Sequence, residues 1–320
     1  MKKALICGVS GQDGAYLSKL LLEEGYEVYG GSRDATTNTF SNLQKLSIKE
    51  EIIPVSINTI DFRSTLQTII KVQPDEVYNL SGQSSVGLSF EQPVETFESI
   101  GIGALNLLET IRFSNRPIRL YNSGSSECFG ELGNRPADER TAFNPRSPYA
   151  IAKATAHWQV ANYREAYHIY ACTGILFNHE SPFRSNRFVT KKIVSTACRI
   201  AKGSSEKLYL GNIDIERDWG WAPDYVKAMW LMLQQDRPDD FVIATGTTHS
   251  LRYFIQLAFD HLKLNWKDHI VSDASLLRPT DLLIGRANPA KAREILGWKA
   301  THTLEMIVKE MVDAELKEGN

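Results

Sequence analysis

The sequence predicts an α/β protein: a doubly wound parallel sheet with a smaller C-terminal region. Two observations carry this expectation. Short apolar runs alternate with stretches of helical periodicity along the first half of the chain, as βαβ units do. The first apolar run also ends in a glycine-spaced turn that opens directly into a helical pattern. With 320 residues, 42% of them hydrophobic, the chain can bury a large core.

ALICGV (Ala4–Val9) is a continuous apolar run, as expected of a strand covered on both faces. AYLSKLLLEEGY (Ala15–Tyr26) carries apolar residues at helical spacing and closes at Gly25. EVYGG (Glu27–Gly31) reads as the second strand. Further strands are expected in EVYNLSG (Glu76–Gly82), IRLYNSGSS (Ile118–Ser126), YACTGILF (Tyr170–Phe177) and DFVIATG (Asp240–Gly246). Helices are expected over VETFESIGIGALNLLETIRF (Val94–Phe113) and SPYAIAKATAHWQVANYREAY (Ser147–Tyr167). Beyond Phe177 polar and basic loops dilute the pattern, and no repeat or low-complexity tract appears.

A formal net charge of −2 favours neither nucleic acid nor an anionic membrane as partner. Cys7, Cys128, Cys172 and Cys198 show no C-x-x-C spacing, so buried thiols in a reducing cytoplasm are expected, with no disulfide frame and no metal site. The opening MKKALICGVSG turns glycine-rich too soon for a signal peptide or membrane span.

GVSGQDGAYL spaces Gly8, Gly11 and Gly14 as G-x-x-G-x-x-G between the first strand and first helix. A tight turn at a helix N-terminus offers backbone N–H groups and a positive dipole end to a pyrophosphate. Ser10, Gln12 and Asp13 lie in the same turn. The fold is therefore expected to be Rossmann-like. The second strand runs into YGGSRDATT, where Ser32 and Arg33 stand in place of a ribose-binding acid. A guanidinium suits a 2′-phosphate, which makes NADP the expected cofactor; Asp34, offset by one residue, keeps NAD open.

RSPYAIAKA places Tyr149 and Lys153 at i and i+4, on one helix face. A free phenol, with a pKa of about 10, is a poor base at neutral pH. A neighbouring ammonium and a cationic nicotinamide ring favour the phenolate. Lysine can also hydrogen-bond the nicotinamide ribose.

GVSGQDGAYL together with YAIAK resembles the extended short-chain dehydrogenase/reductases that modify nucleotide sugars. NLSGQSSVGLSFEQPVET, NPRSPYAIAKA, GILFNHESPFR, RFVTKKI, LGNIDIERDWGWAPDYVKAMWLMLQ and FVIATG resemble the GDP-mannose 4,6-dehydratase family more closely. The resemblance runs to about Gly297–Trp298. It implies that SGSSECFG holds the rest of the catalytic set, with Ser125, Ser126 and Glu127 in place of the family's Thr-Ser-Glu.

The implied chemistry begins with Tyr149 taking the proton of the sugar 4-hydroxyl as hydride leaves C4, with Ser125 hydrogen-bonded to that oxygen. The ketone acidifies C5; Glu127 removes that proton and helps expel the 6-hydroxyl as water. Hydride then returns to C6. The resemblance further implies cofactor contacts at Leu80, Ser81, Gln83, Ser84, His179 and Arg184. It implies substrate contacts at Ser85, Ser126, Asn178, Glu180, Lys192, Arg217 and Arg278, the cations meeting the GDP diphosphate.

Three departures stand out. Ser125 replaces threonine. Asn58, in SINTIDF, replaces the Asp that meets the adenine amino group. SRDATTNTF replaces the family's paired arginines and serines after the second strand, a segment tied to tetramer packing and NADP, so homodimer and homotetramer both stay open. Residues 1–180 are expected to form the NADP-binding domain and 181–320 the nucleotide-sugar-binding region, crossing back to the main sheet near 240–246. The expected activity is dehydration of GDP-mannose to GDP-4-keto-6-deoxy-mannose; a GDP-heptose dehydratase, a GDP-sugar C4 reductase and a non-catalytic NADP-binding sensor are the alternatives.

Overall fold

The computed structural model describes residues 1–318. Its strands in chain order are β1 (Lys3–Cys7), β2 (Glu27–Ser32), β3 (Ile53–Ser56), β4 (Glu76–Asn79), β5 (Arg119–Ser123), β6 (Ala171–Leu176), β7 (Asn178–Glu180), β8 (Leu208–Leu210), β9 (Glu216–Trp221), β10 (Phe241–Ile243), β11 (Thr248–Ser250) and β12 (Ile270–Ser272). Seven of them form one sheet in the order β10-β6-β5-β4-β1-β2-β3, and every neighbouring pair is parallel. The order reverses between β1 and β4, the position at which doubly wound sheets open a crevice for ligands.

Alternation along β1 explains why its run is apolar throughout. Ala4 and Ile6 join one core with helices Gln12–Glu23 and Ala222–Gln234, whereas Leu5 and Cys7 join another with Leu107, Leu108 and Val160 from helices on the opposite face. A third core gathers helices Val189–Ala201, Leu251–His261 and Leu304–Glu318 around Trp219 and Trp221 of β9. Two small sheets, β11-β9-β7 and β12-β8, lie in this later part of the chain.

The expected strands form with ends shifted by at most three residues, and β10 lies on the main sheet. Strand β3 and helix Phe62–Val72 are additions to the pattern read from sequence. The helix expected over Val94–Phe113 differs more: it comprises helix Pro93–Phe97, a π-helical stretch Glu98–Ile102 and helix Gly103–Ser114. This stretch packs tightly, since a Cβ on Gly103 would lie 3.1 Å from the Thr59 hydroxyl and one on Gly82 would meet Ile100 at 2.9 Å. A register shift within a helix is how a chain re-aims side chains beside a site.

Candidate active site

A cavity of about 1050 Å³ opens at the carboxyl ends of the main strands. Its floor is the turn after β1. Gly8 has φ +92°, a conformation that glycine adopts without strain, and a Cβ there would lie 2.8 Å from the Leu80 carbonyl oxygen. A Cβ on Gly14 would sit 2.5 Å from the Gly8 carbonyl oxygen and 2.6 Å from Val9 Cα, so only glycine lets helix Gln12–Glu23 approach the strand this closely. Gly11 is the N-cap and contributes no side-chain cap. The first-turn amides are thus left for an anionic ligand, and the turn fits a dinucleotide pyrophosphate.

Helix Pro148–Tyr167 forms the opposite wall. Ser147 caps it, accepting from the Ala150 amide at 3.1 Å, and Pro148 occupies its first turn. Tyr149 and Lys153 share the face turned to the cavity. Lys153 Nζ is 5.8 Å from the Tyr149 ring centroid and donates to the Ser123 carbonyl oxygen at 2.7 Å and to Ser123 Oγ at 3.1 Å. Burial pushes the Lys153 ammonium down to about 8. Burial also pushes the Tyr149 phenol above its ordinary range, tempered by a hydrogen bond with Ser125. The protein alone therefore keeps Tyr149 protonated, which differs from the lowered phenol that the lysine spacing suggests. Lys153 donates to Ser123, and desolvation is the largest influence on the phenol.

Between these walls the chain after β5 turns through Ser126–Phe129. Ser125 caps this turn, accepting from the Glu127 amide at 3.3 Å. Burial raises the Glu127 carboxyl above its ordinary range, and the charges of Arg217 and Arg278 oppose that rise. Arg217 is buried: its guanidinium donates to the carbonyl oxygens of Glu216 at 2.9 Å and Leu282 at 2.7 Å, and it lies 3.4 Å from Asp281. Arg278 lies 3.7 Å from the same Asp281 oxygen. This wall holds a poised carboxyl with two cations behind it.

The cavity lining brings together Gly8, Ser10, Gly11, Gln12, Asp13, Gly14, Arg33, Asn58, Leu80, Ser81, Gln83, Ser84, Ser85, Ser125, Ser126, Glu127, Tyr149, Lys153, Asn178, His179, Glu180, Arg184, Arg217 and Arg278. Lys192 is not among them. Its Nζ donates to the Tyr209 carbonyl oxygen at 2.8 Å, tying helix Val189–Ala201 to β8. Arg33 faces the cavity, whereas Asp34 lies outside the lining, its carboxylate occupied by the amides of Thr36 at 2.9 Å and Thr37 at 3.2 Å and by the Thr37 hydroxyl at 2.8 Å. Sequence reasoning passed over Glu95, Glu98 and Arg187, which also line the space; the π-helical stretch that presents Glu98 has no local sequence signal. Among the described residues no cluster of His, Cys, Asp or Glu is arranged to hold a metal ion, and the four thiols are free and buried. No helix among them is long and apolar enough to cross a membrane.

A cleft at the switch point of a seven-stranded parallel sheet, with a Tyr–Lys pair facing a glycine turn, defines a Rossmann-type protein of the dehydrogenase/reductase kind. Solved structures agree on that fold. UDP-glucose 4-epimerase from Thermotoga maritima, solved with UDP-glucose, superimposes with a TM-score of 0.89 at 21% identity, covering 99% of this chain and 100% of its own. RMD from Pseudomonas aeruginosa, complexed with NADPH, gives 0.82 at 21% identity, with the same coverage. The family model for GDP-mannose 4,6 dehydratase matches residues 5–311, and the chain belongs to that family. GDP-mannose 4,6 dehydratase 1 of Arabidopsis thaliana is 46% identical over 326 residues, spanning 99% of this chain and 90% of its own. GDP-mannose 4,6-dehydratase of Sinorhizobium fredii is 43% identical over 342 residues, spanning 98% and 97%.

Proposed function

We propose that the protein dehydrates GDP-mannose to GDP-4-keto-6-deoxy-mannose, using a tightly held NADP. The observation that carries this reading is Glu127: a carboxyl raised above its ordinary range, beside the Ser125–Tyr149–Lys153 set. Oxidation at C4 needs only the tyrosine and its partners. Loss of water across C5 and C6 needs a further group that removes the C5 proton and returns one to the departing 6-hydroxyl. A carboxyl tuned toward neutrality can do both in turn.

The glycine turn, Leu80–Ser84, His179 and Arg184 would hold the dinucleotide, with Asn58 toward the adenine and Arg33 toward a 2′-phosphate. NADP bound there would supply a reversible hydride acceptor, and a positive ring beside Tyr149 would favour the phenolate against the effect of burial. Tyr149 then accepts the 4-hydroxyl proton while Ser125 fixes the oxygen. Arg217 and Arg278 anchor the GDP diphosphate, and Ser85, Ser126, Asn178 and Glu180 surround the sugar. Lys192 has no place in this scheme. In this reading residues 1–180 hold the cofactor and 181–320 supply the nucleotide-sugar side. The buried thiols suit a reducing cytoplasm. Exposed Val94, Ile151 and Trp158 support a homodimer or homotetramer, which light scattering would distinguish.

The test is to incubate the purified protein with GDP-mannose and identify the product by mass and NMR. Loss of one water, with a 4-ketone and a 6-methyl group and no added oxidant or reductant, is expected. Recovery of unchanged substrate from the NADP-loaded protein would defeat the proposal.

A further inference from the structure

One polar cluster in the cavity takes no part in the proton transfers above. His179, at the centre of β7, has Nδ1 2.8 Å from the Phe177 carbonyl oxygen and Nε2 2.9 Å from Asp13 Oδ2. Burial alone would raise the Asp13 carboxyl, yet the charge of His179 and its hydrogen bond hold it below the usual range. Asp13 is thus a carboxylate, and neither it nor a carbonyl can donate a hydrogen bond. Both imidazole nitrogens must then carry hydrogen. The ring stacks on Tyr225 at 4.5 Å with an interplanar angle of 27°.

Gln12 closes the cluster. Its Nε2 donates to Asp13 Oδ1 at 3.0 Å and to the His179 carbonyl oxygen at 3.2 Å, while Ser181 Oγ donates to Gln12 Oε1 at 2.7 Å. The charged and titratable groups around the ring are Asp13 from the first helix, Glu180 and Arg184 from its own segment, and Tyr225 from helix Ala222–Gln234. Glu180 is itself engaged by the Thr190 hydroxyl at 2.6 Å and by Arg184 at 3.2 Å.

Asp13 stands in the first turn of helix Gln12–Glu23, where a lone carboxylate would repel a diphosphate. We propose that His179 is held as an imidazolium that cancels the charge of Asp13, so that this turn accepts a dinucleotide diphosphate despite the acid it carries. This inference rests on the cofactor assignment above and deepens it; His179 is a positioning residue. The pairing raises the His179 pKa against the opposing effect of burial. The ion pair is complete below the unfolded pKa and is lost as pH rises through the folded one. Dinucleotide affinity therefore falls as pH rises through a point above the ordinary histidine range.

Two measurements test it. In the ¹⁵N-histidine-labelled wild type at pH 7, both ring nitrogens of His179 should resonate in the protonated range; in Asp13→Asn one should become unprotonated. NADPH titration followed by fluorescence should show Asp13→Asn binding at neutral pH without that fall as pH rises. His179→Gln, which leaves Asp13 uncompensated, should bind about tenfold more weakly. Asp13→Asn added to His179→Gln should restore affinity to within about twofold of the wild type. Residues acting independently would give losses that add, and a merely structural pair would leave the double variant as weak as the weaker single variant; either result counts against charge cancellation. Additive losses, or a bare ring nitrogen in the wild type at pH 7, overturn the proposal. Failure of the wild type to bind NADPH overturns the cofactor assignment, and this proposal's diphosphate role with it.

Discussion

Replacing Lys153 by Met is predicted to abolish turnover while stabilising the protein at neutral pH. Lys153 is 7% exposed, and burial moves its pKa from 10.5 to about 8. That displacement corresponds to about 3 kcal/mol against the charged form at neutral pH. Met fills a similar volume without charge but forfeits the hydrogen bonds to Ser123, which offsets roughly 1–2 kcal/mol. The net gain is about 1–2 kcal/mol, or a rise of about 1.5–3 °C in Tm. The pH dependence gives a second sign to check. The unfolded chain keeps the Lys153 proton up to 10.5, whereas the folded protein releases it near 8. Wild-type stability therefore rises across that window, and the advantage of Lys153→Met shrinks and then reverses. Calorimetric unfolding of both proteins on either side of the window measures the gap. A variant less stable than wild type at neutral pH, or a gap that stays flat, would refute the reasoning.

Three further predictions follow from the same geometry. Glu127→Gln should keep cofactor binding and C4 oxidation but lose C5 proton exchange and water loss, seen by NMR in D₂O; wild-type dehydration by this variant would remove the carboxyl from the mechanism. If Arg33 meets a 2′-phosphate, the wild type should bind NADP about tenfold or more tightly than NAD, and Arg33→Ala should close most of that gap in calorimetric titrations. Gly14→Ala places a methyl 2.5 Å from a backbone oxygen and should cost about 3 kcal/mol in urea unfolding, with loss of NADPH binding; an unchanged midpoint would contradict the packing account.

What was legible in the sequence was what is local. The glycine turn and the Tyr149–Lys153 pair each lie within one short segment, where spacing fixes geometry; the roles given to SGSSECFG came only from the family resemblance. Longer-range features were not visible in this way. Asp13 and His179 stand 166 residues apart and meet only because β7 leaves the main sheet beside the first helix. The π-helical stretch at Glu98–Ile102 packs against Gly82 through Ile100, and the helical period of the sequence runs unbroken through it. Lys192 shows how one step along a helix changes a side chain's surroundings. Its neighbour Lys191 turns inward to the Pro182 carbonyl and Glu315, and one step along the helix carries Lys192 to β8, away from the cavity. Asp34, one residue beyond Arg33, lies outside the cavity lining with its carboxylate bonded to Thr36 and Thr37, a local turn that the sequence did not display.

The central claim is that one site oxidises C4, eliminates water with Glu127 as base and reduces C6 without exchange of reducing equivalents. GDP-mannose carrying deuterium at C4 tests it most directly. The product should retain that deuterium at C6, within the methyl group, and carry a solvent-derived hydrogen at C5. Deuterium lost to solvent or to added cofactor, or a product that keeps its 6-hydroxyl, would contradict the account.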